Sequence, residues 1–268
     1  LALRKHFFGD HPFAFHPCGT VESASKLDEQ SIRKLHKELL VGSNAVIVIT
    51  GDFEEEAILP QLENLLEKIP AGGFERPKTT GNLPATTKQV DEKLDREQAV
   101  VLEAYPDVGV HSDDTHAAEL LDEILSDMAG PLFKAVREDR SLAYFVGASR
   151  LLAYDFGCFC LYAGTHPDST GEVYACFDQE LQRIRDGGLS KEELDAARTR
   201  LIVHSRFSLQ SPSTRATKAS LNALYGKPIM DWLTYEERLM KLTVDDLTAF
   251  ANKFLCPEKR LRVSVTPN

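Results

Sequence analysis

The fold prediction turns on residues 131–146, PLFKAVREDRSLAYFV. Their apolar side chains share one side of a short helix, and the chain then runs directly into a strand. Arg137 and Tyr144 stand seven residues apart across that junction, so their side chains can point into one cleft. A guanidinium fork and a phenolic hydroxyl are suited to binding a peptide backbone. On residue chemistry alone, a surface ion-pairing arginine and a half-buried tyrosine remain the commoner interpretation.

The composition is that of a globular protein with ample length for a hydrophobic core. The chain has 268 residues, of which 43% are hydrophobic and 27% are charged. A net charge of −10 and the lack of a basic stripe argue against nucleic-acid binding. No apolar run is long enough to span a membrane. Because the chain begins at Leu1 and shows no signal peptide, we expect a piece of something longer, from the bacterial periplasm or cytoplasm.

The cysteines and the first two histidines show no pattern typical of a metal site. The five cysteines have no metal-type spacing, and this favours buried free thiols over a disulfide framework. His11 and His16 each precede a proline, which disfavours helical backbone at the residue before it. We therefore do not expect these two histidines to share a helical face as metal ligands.

The first 70 residues end in a helix, a strand and a second helix. Apolar residues recur with helical spacing over residues 27–40, with Asp28 as the expected N-cap, and again over residues 53–69. Between them AVIVIT, residues 45–50, is a continuous β-branched run that predicts a buried strand. Proline and glycine without periodicity over residues 71–85 then predict a linker.

Residues 86–268 have the pattern of a second, complete unit. Strands are predicted at 90–94 and 98–105, a helix at 113–128, and a hairpin of strands at 143–154 and 157–164. A helical region follows, and the alternating run RLRVSVT at 260–266 predicts a closing strand. This order predicts an α+β protein with helices on one face of a mixed sheet.

The nearest approach to a zinc motif is incomplete. His116, Glu119 and Leu120 lie on a predicted helix, where a histidine at position 120 would have completed a chelating pair. Leu120 cannot bind metal, so His116 is interpreted as a helix-surface histidine. No phosphate-binding glycine loop or nucleophile elbow occurs either.

Three motifs together resemble the M16 zinc metallopeptidases, the pitrilysin, insulinase and mitochondrial processing peptidase-like family. They are DHPFAFHPCGT, LHKELLVGSNAVIVITGDF and GPLFKAVREDRSLAYFV, and the resemblance runs through nearly all of the chain. It implies the LuxS/MPP-like metallohydrolase fold, with a mainly antiparallel sheet. Residues 1–70 then correspond to the end of a first M16 unit, and residues 86–268 to a second, inactive-type unit.

The resemblance also implies roles for two residues. Arg137 and Tyr144 match the family's R-x6-Y pair, so Tyr144 would stabilise the oxyanion at the scissile carbonyl and Arg137 would hold the peptide substrate. No metal ligand is expected in this chain, since the zinc motif would lie before Leu1 or in a partner. Zinc would come from that missing half or from a partner subunit in a homo- or heterodimer. The chain departs from the family pattern at Ala143, where glycine is frequent, and at Cys18.

Two other interpretations stay open. The chain is alternatively a structural or scaffold subunit that keeps the fold without proteolysis. It is also compatible with a peptide-binding module that uses an exposed sheet edge. On its own the chain is expected to be inactive, because it lacks the H-x-x-E-H zinc motif.

Overall fold

A computed structural model describes residues 2–75, 88–95 and 97–268, which form two compact units. The first unit comprises the described parts of residues 1–15, 80–204 and 234–268, and the second comprises those of residues 16–79 and 205–233. Residues 1–15 group with the unit that contains the sheet, and the expected boundary after residue 70 stays a prediction. Most of the expected linker, residues 76–85, lies outside the described residues.

The first unit is built on a five-stranded sheet with the strand order β1-β5-β2-β4-β3. The strands are β1 (Lys88–Leu94), β2 (Ala99–Val108), β3 (Ala143–Leu152), β4 (Phe156–Thr165) and β5 (Leu261–Pro267). Only β1 and β5 pair in parallel, and the other three pairings are antiparallel. The predicted mixed, mainly antiparallel sheet is confirmed, with the expected hairpin as β3 and β4 and the closing strand as β5.

Strand β2 shows how local sequence sets the limits of the pairing. It contains Pro106, which has no backbone N–H to donate and is normally confined to strand edges or bulges. The β5 ladder pairs with β2 only from Val100 to Ala104, so Pro106 lies beyond the end of β5. One neighbour, β4, remains at that point. The proline is thus tolerated in a strand that is central along the rest of its length.

Eleven α-helices occur in the part of the chain that the structure describes. They are α1 (Ala2–Phe8), α2 (Val21–Ser25), α3 (Glu29–Leu39), α4 (Glu55–Leu66), α5 (Thr115–Leu125), α6 (Pro131–Phe133), α7 (Thr170–Arg185), α8 (Lys191–Ser208), α9 (Pro212–Leu224), α10 (Tyr235–Lys241) and α11 (Val244–Phe254). Within residues 2–75, 88–95 and 97–268, no helix has the length and apolar character needed to cross a membrane.

A main hydrophobic core fills the space between one face of the sheet and helices α5, α7 and α11. Leu120 and Leu121 of α5, Phe177 of α7 and Phe250 of α11 are buried there against Phe159 of β4. Two helices of this unit begin with reciprocal side-chain caps. Thr243 and Asp246 form a reciprocal capping box at the start of α11, as Ser190 and Glu193 do before α8.

The opposite face of the sheet carries a smaller core under the first residues of the chain. Phe7 and Phe8 of α1 are buried there against Cys158, Cys160 and strand β5. The three thiols of Cys158, Cys160 and Cys176 are buried, and burial raises the pKa of Cys160 to about 12. These cysteines therefore pack as apolar side chains, as their spacing predicted.

The second unit has amphipathic helices whose apolar faces are uncovered. Helix α3 begins after Asp28, whose carboxylate accepts a hydrogen bond from the Ser31 N–H at 2.7 Å, so the predicted cap is confirmed. However, Ile32 and Leu35 of α3 are exposed, as are Leu59 and Leu65 of α4. Among the described hydrophobic residues of this unit, Val41 and Ala219 are the two that are buried.

The predicted buried strand at residues 45–50 is wrong for the structure described. The segment is extended but belongs to no ladder, and Val46, Ile47 and Ile49 are each about 40% exposed. The end of the segment is held by a hydrogen bond that the Thr50 hydroxyl donates to the Pro212 carbonyl at 2.7 Å. Strand formation needs a neighbouring strand as well as β propensity, and no neighbour pairs with this run among the described residues.

The packing of α1 gives the first prediction. We expect Phe7→Ala to lower the free energy of unfolding by roughly 3–5 kcal/mol, because it empties a fully buried aromatic site. Phe15→Ala is the matched control, since Phe15 is 68% exposed and should change stability by less than about 0.5 kcal/mol. Urea unfolding measures both. Equal midpoints for Phe7→Ala and the parent chain would show that α1 does not cover the sheet.

Candidate functional site

Arg137 lies in a π-helical turn, Lys134–Glu138, that follows α6 directly. Such wide turns are rare and occur frequently at functional sites. The Arg137 side chain is exposed, and its guanidinium carbon lies 5.4 Å from the centre of the Phe133 ring. That distance allows a cation–π contact, which restrains the guanidinium without removing it from solvent.

The chain reverses between Arg137 and Tyr144 through a strained turn. Ser141 has a φ of +50°, in the left-handed region that residues with a Cβ seldom occupy. Two backbone bonds fix the turn: Ser141 N–H donates to the Arg137 carbonyl at 3.2 Å, and Leu142 N–H donates to the Val136 carbonyl at 2.8 Å. The start of β3 is therefore held beside the π-helical turn.

A β-bulge determines where Tyr144 points. Ala143 pairs with Thr165, but the next pair is Phe145 with Gly164, so Tyr144 is the extra residue. Ala143 and Val146 both contact the main core under the helices. Because they are three residues apart, simple alternation cannot place both on that face. Tyr144 and Phe145 together occupy the positions between them and face the side of the sheet opposite the helix layer.

The structure thus brings Arg137 and Tyr144 to the same end of β3, both exposed to solvent. Tyr144 is 57% exposed, and neither side chain has a hydrogen-bond partner in residues 2–75, 88–95 and 97–268. A free guanidinium and a free phenolic O–H near one edge strand are able to donate hydrogen bonds to the carbonyl oxygens of an extended peptide. Their arrangement is therefore chemically competent for the contacts expected of the pair.

His116 and Glu119 are engaged in a network of their own. The His116 Nδ1 lies 3.2 Å from Glu119 Oε2, and the Tyr235 hydroxyl donates to Glu119 Oε1 at 2.7 Å. The His116 and Tyr235 rings pack edge to face, with centres 5.5 Å apart. Hydrogen bonds from His116 and Tyr235 lower the pKa of Glu119 although burial opposes them. Leu120 is fully buried in the core.

These residues do not form a zinc site. The carboxylate of Glu119 is occupied by two side chains, and Leu120 offers no donor atom. In residues 2–75, 88–95 and 97–268, no three or more His, Cys, Asp or Glu side chains are grouped so that they could hold a metal ion.

Asp122, one turn further along α5, is half-buried, and one of its carboxyl oxygens lies in unfavourable surroundings. Its Oδ1 is buried and has no hydrogen-bond partner within the described residues. Burial raises the pKa of Asp122 to about 6, with Glu123, Asp107 and Glu119 adding to the effect. Arg150 opposes the rise, but its guanidinium is already bonded to the Asp107 carboxylate at 2.7 Å and 3.2 Å.

Sequence reasoning predicted Arg137 and Tyr144 as the site residues but did not identify the bulge beside Tyr144. Its signal is in the sequence, because Tyr144 and Phe145 are adjacent aromatic residues in a strand that otherwise alternates between two faces. Both are exposed, which an unbulged strand covered by helices on one face would not allow.

A family model described as the peptidase M16 inactive domain matches residues 26–201. The match covers more than half of the chain, and the chain belongs to this family. The M16 resemblance and the fold expected from it are thereby confirmed.

The curated relatives are bacterial proteins of greater length. An uncharacterised zinc protease of Streptomyces coelicolor is 25% identical over 263 residues, which are 92% of this chain and 56% of the relative. The uncharacterised zinc protease YmxG of Bacillus subtilis is 22% identical over 227 residues, 83% of this chain and 54% of the relative. A Helicobacter pylori relative, 22% identical over 93% of this chain and 58% of its own length, is named a non-peptidase homologue. The chain spans about half the length of these relatives.

Solved structures share the fold at low sequence identity. A peptidase M16 inactive domain from Pseudomonas fluorescens has a TM-score of 0.84 and 23% identity, covering 100% of this chain and 64% of that one. A protease from Helicobacter pylori has a TM-score of 0.86 and 18% identity, covering 96% and 63%. A chain of complex III from Candida albicans has a TM-score of 0.86 and 17% identity, covering 98% and 65%.

The surroundings of Asp122 give a prediction for the pH dependence of stability. The folded chain holds the proton of this carboxyl more tightly than the unfolded chain, so stability is lost as pH rises through about 6. Asp122→Asn stays neutral and should not show this loss. Its stability relative to the parent should improve by on the order of 2 kcal/mol between pH 4 and pH 7.

Urea unfolding at the two pH values measures that change. Asp113→Asn removes an exposed carboxylate near the start of the same helix and serves as the control. If the difference between Asp122→Asn and the parent is the same at pH 4 and pH 7, the pKa of Asp122 is the same in the folded and the unfolded chain, and burial does not raise it.

Proposed function

We propose that this chain is the substrate-binding, non-zinc-binding part of an M16-type zinc metalloendopeptidase. The observation that carries the proposal is the exposure of Arg137 and Tyr144 at one end of β3, on a turn and a bulge that fix their backbones. In this proposal Arg137 binds a carbonyl of the substrate backbone. Tyr144 donates a hydrogen bond to the oxyanion that develops at the scissile carbonyl, where charge stabilisation lowers the barrier most.

Exposed apolar side chains in the second unit favour the presence of a partner. Its helices α3 and α4 and the extended residues 45–50 expose leucine, isoleucine and valine side chains, a combination that marks interaction surfaces. An unpaired apolar segment of strand length also offers free backbone groups to a strand of another domain. We propose that residues 1–70 complete a first M16 unit with a further chain segment or a partner subunit in a homo- or heterodimer. That partner would supply the zinc, and the chemistry that zinc would contribute is activation of a water molecule.

A structural role is the second candidate. The Helicobacter pylori relative is named a non-peptidase homologue, and the complex III chain shares the fold as closely as the proteases do. A scaffold subunit does not require an exposed phenol and an exposed guanidinium at one strand end. The solvent exposure of Tyr144 and Arg137 therefore favours peptidase function. A simple peptide-binding module would bind peptides without any zinc-bearing partner.

We expect Tyr144→Phe to lower kcat of the assembled peptidase by about 10²- to 10³-fold, because it removes one oxyanion donor. The assay is cleavage of a quenched fluorescent peptide by the chain mixed with its zinc-bearing half. Tyr154→Phe is the matched control, an exposed tyrosine just beyond the other end of β3. Full cleavage by Tyr144→Phe would remove Tyr144 from the reaction.

We expect Arg137→Ala in the same assay to raise KM by about tenfold, because it removes a charged hydrogen-bond donor to the substrate. Lys134→Ala removes an exposed cation from the same turn and should leave KM within about twofold. An Arg137→Ala chain with the parent KM would show that Arg137 does not bind the substrate.

The partner surface has its own test. Ile47→Lys places a charge in the extended apolar run and should weaken association with the zinc-bearing half by about tenfold or more, since the charge would be buried there. Val21→Lys alters an apolar residue that is 90% exposed outside that run and serves as the control. Association is measured by analytical ultracentrifugation. Unchanged association of Ile47→Lys would show that residues 45–50 are not at the interface.

A further inference from the structure

We propose that Thr165 is a positioning residue for the candidate site, because its hydroxyl fixes the bulge that directs Tyr144 out of the core. The proposal rests on the proposed function, since it concerns how the same tyrosine is presented to a substrate. Thr165 is the last residue of β4 and pairs with Ala143 at the start of β3. The bulge follows this pair directly.

The buried side chain of Thr165 bonds the backbone at the point where β3 begins. Its hydroxyl donates to the Leu142 carbonyl at 2.5 Å, and the residue is 0% exposed. Leu142 lies before the first pair of the β3–β4 ladder, so this side-chain bond takes the place of a ladder bond. The Leu142 N–H donates to the Val136 carbonyl at 2.8 Å. Both backbone groups of Leu142 are therefore bonded, one to β4 and the other to the π-helical turn.

Beyond the bulge, a different hydroxyl fixes β3. Ser126, at the end of α5, accepts a hydrogen bond from the Ala148 N–H at 3.0 Å and donates one to the Ala148 carbonyl at 3.1 Å. These two bonds set the register of β3 after the bulge. Loss of the bulge would then move the residues before it by one position. Tyr144 would pair with Thr165 and turn towards the helices.

Thr165 acts on Tyr144 through the backbone. Ala163 lies two residues before Thr165 in β4 and packs in the main core, so alternation places Thr165 on the helix side of the sheet. Because Tyr144 faces the other side, the Thr165 hydroxyl does not reach a substrate bound there. Packing alone would be served equally by valine, which has the shape of threonine without a polar atom. The bond to Leu142 accounts for the buried hydroxyl.

The first test compares Thr165→Val, which removes the hydroxyl at nearly constant shape, with Thr165→Ser, which keeps it. NMR of the chain reports the register through cross-strand NOEs between backbone protons of Ala143 and residue 165. We expect these NOEs in the parent and in Thr165→Ser, and their loss in Thr165→Val. Thr248→Val removes a hydroxyl that donates to the Ile184 carbonyl in the helix layer, and it should keep the NOEs. Their persistence in Thr165→Val, or an equal loss in Thr165→Ser, would overturn the proposal.

Cleavage of a quenched peptide by the chain with its zinc-bearing half tests the consequence for catalysis. We expect Thr165→Val to lower kcat by about ten- to hundredfold and to leave KM within about twofold, because a misplaced donor weakens the transition state more than substrate binding. In a chain that already carries Tyr144→Phe, the same change should lower kcat by less than about twofold, since the donor that Thr165 positions is then absent. Equal losses of kcat in both backgrounds would overturn the positioning role.

The two measurements separate this proposal from the proposed function. If Thr165→Val loses the NOEs but the assembled parent chain cleaves no peptide, control of the bulge by Thr165 is supported and the peptidase function is overturned. If the parent cleaves peptide and Thr165→Val keeps both its NOEs and its kcat, the positioning role alone is overturned.

Discussion

The accessible chemistry of this chain depends on one extra residue in the pairing of β3 with β4. A sheet accepts an additional residue only as a bulge, which interrupts the alternation of side chains between its two faces. Because of this interruption, Ala143 and Val146 both pack in the main core, while Tyr144 and Phe145 lie on the opposite face of the sheet. Deleting one residue from the 143–146 run would return the strand to strict alternation and turn an aromatic side chain towards the helices.

The two units differ in how far they bury their apolar side chains. In the first unit, the sheet receives helices α5, α7 and α11 on one face and α1 on the other, and nearly every β4 side chain is buried. In the second unit, amphipathic helices of comparable length present their apolar faces to solvent. The same periodic pattern thus has two outcomes, because periodicity specifies which side of a helix should be covered but does not supply the covering surface.

Much of the first unit could be predicted from its sequence because its signals are local. Alternation, strand length and the Thr243 and Ser190 caps are set within a few residues, and the closing strand was located within two residues of β5. The fate of residues 45–50 could not be predicted, since strand formation depends on a neighbour. The positions of Arg137 and Tyr144 came from a sequence motif, whereas the bulge and the pairing of Phe145 with Gly164 depend on register between strands.

The position of β5 makes the completion of the sheet depend on residues that are synthesised long after β1. Strand β5 lies between β1 and β2, so β1 finds its described partner only when residues 261–267 arrive. During translation, β2, β3 and β4 can pair with one another before β5 is made. Strand β1 stays unpaired until then, because β5 lies more than 160 residues away in sequence. Contacts between such distant segments form slowly, and an unpaired strand is open to wrong partners in the meantime. Until β5 is made, the side of β2 that pairs with it presents unpaired backbone groups to other strands.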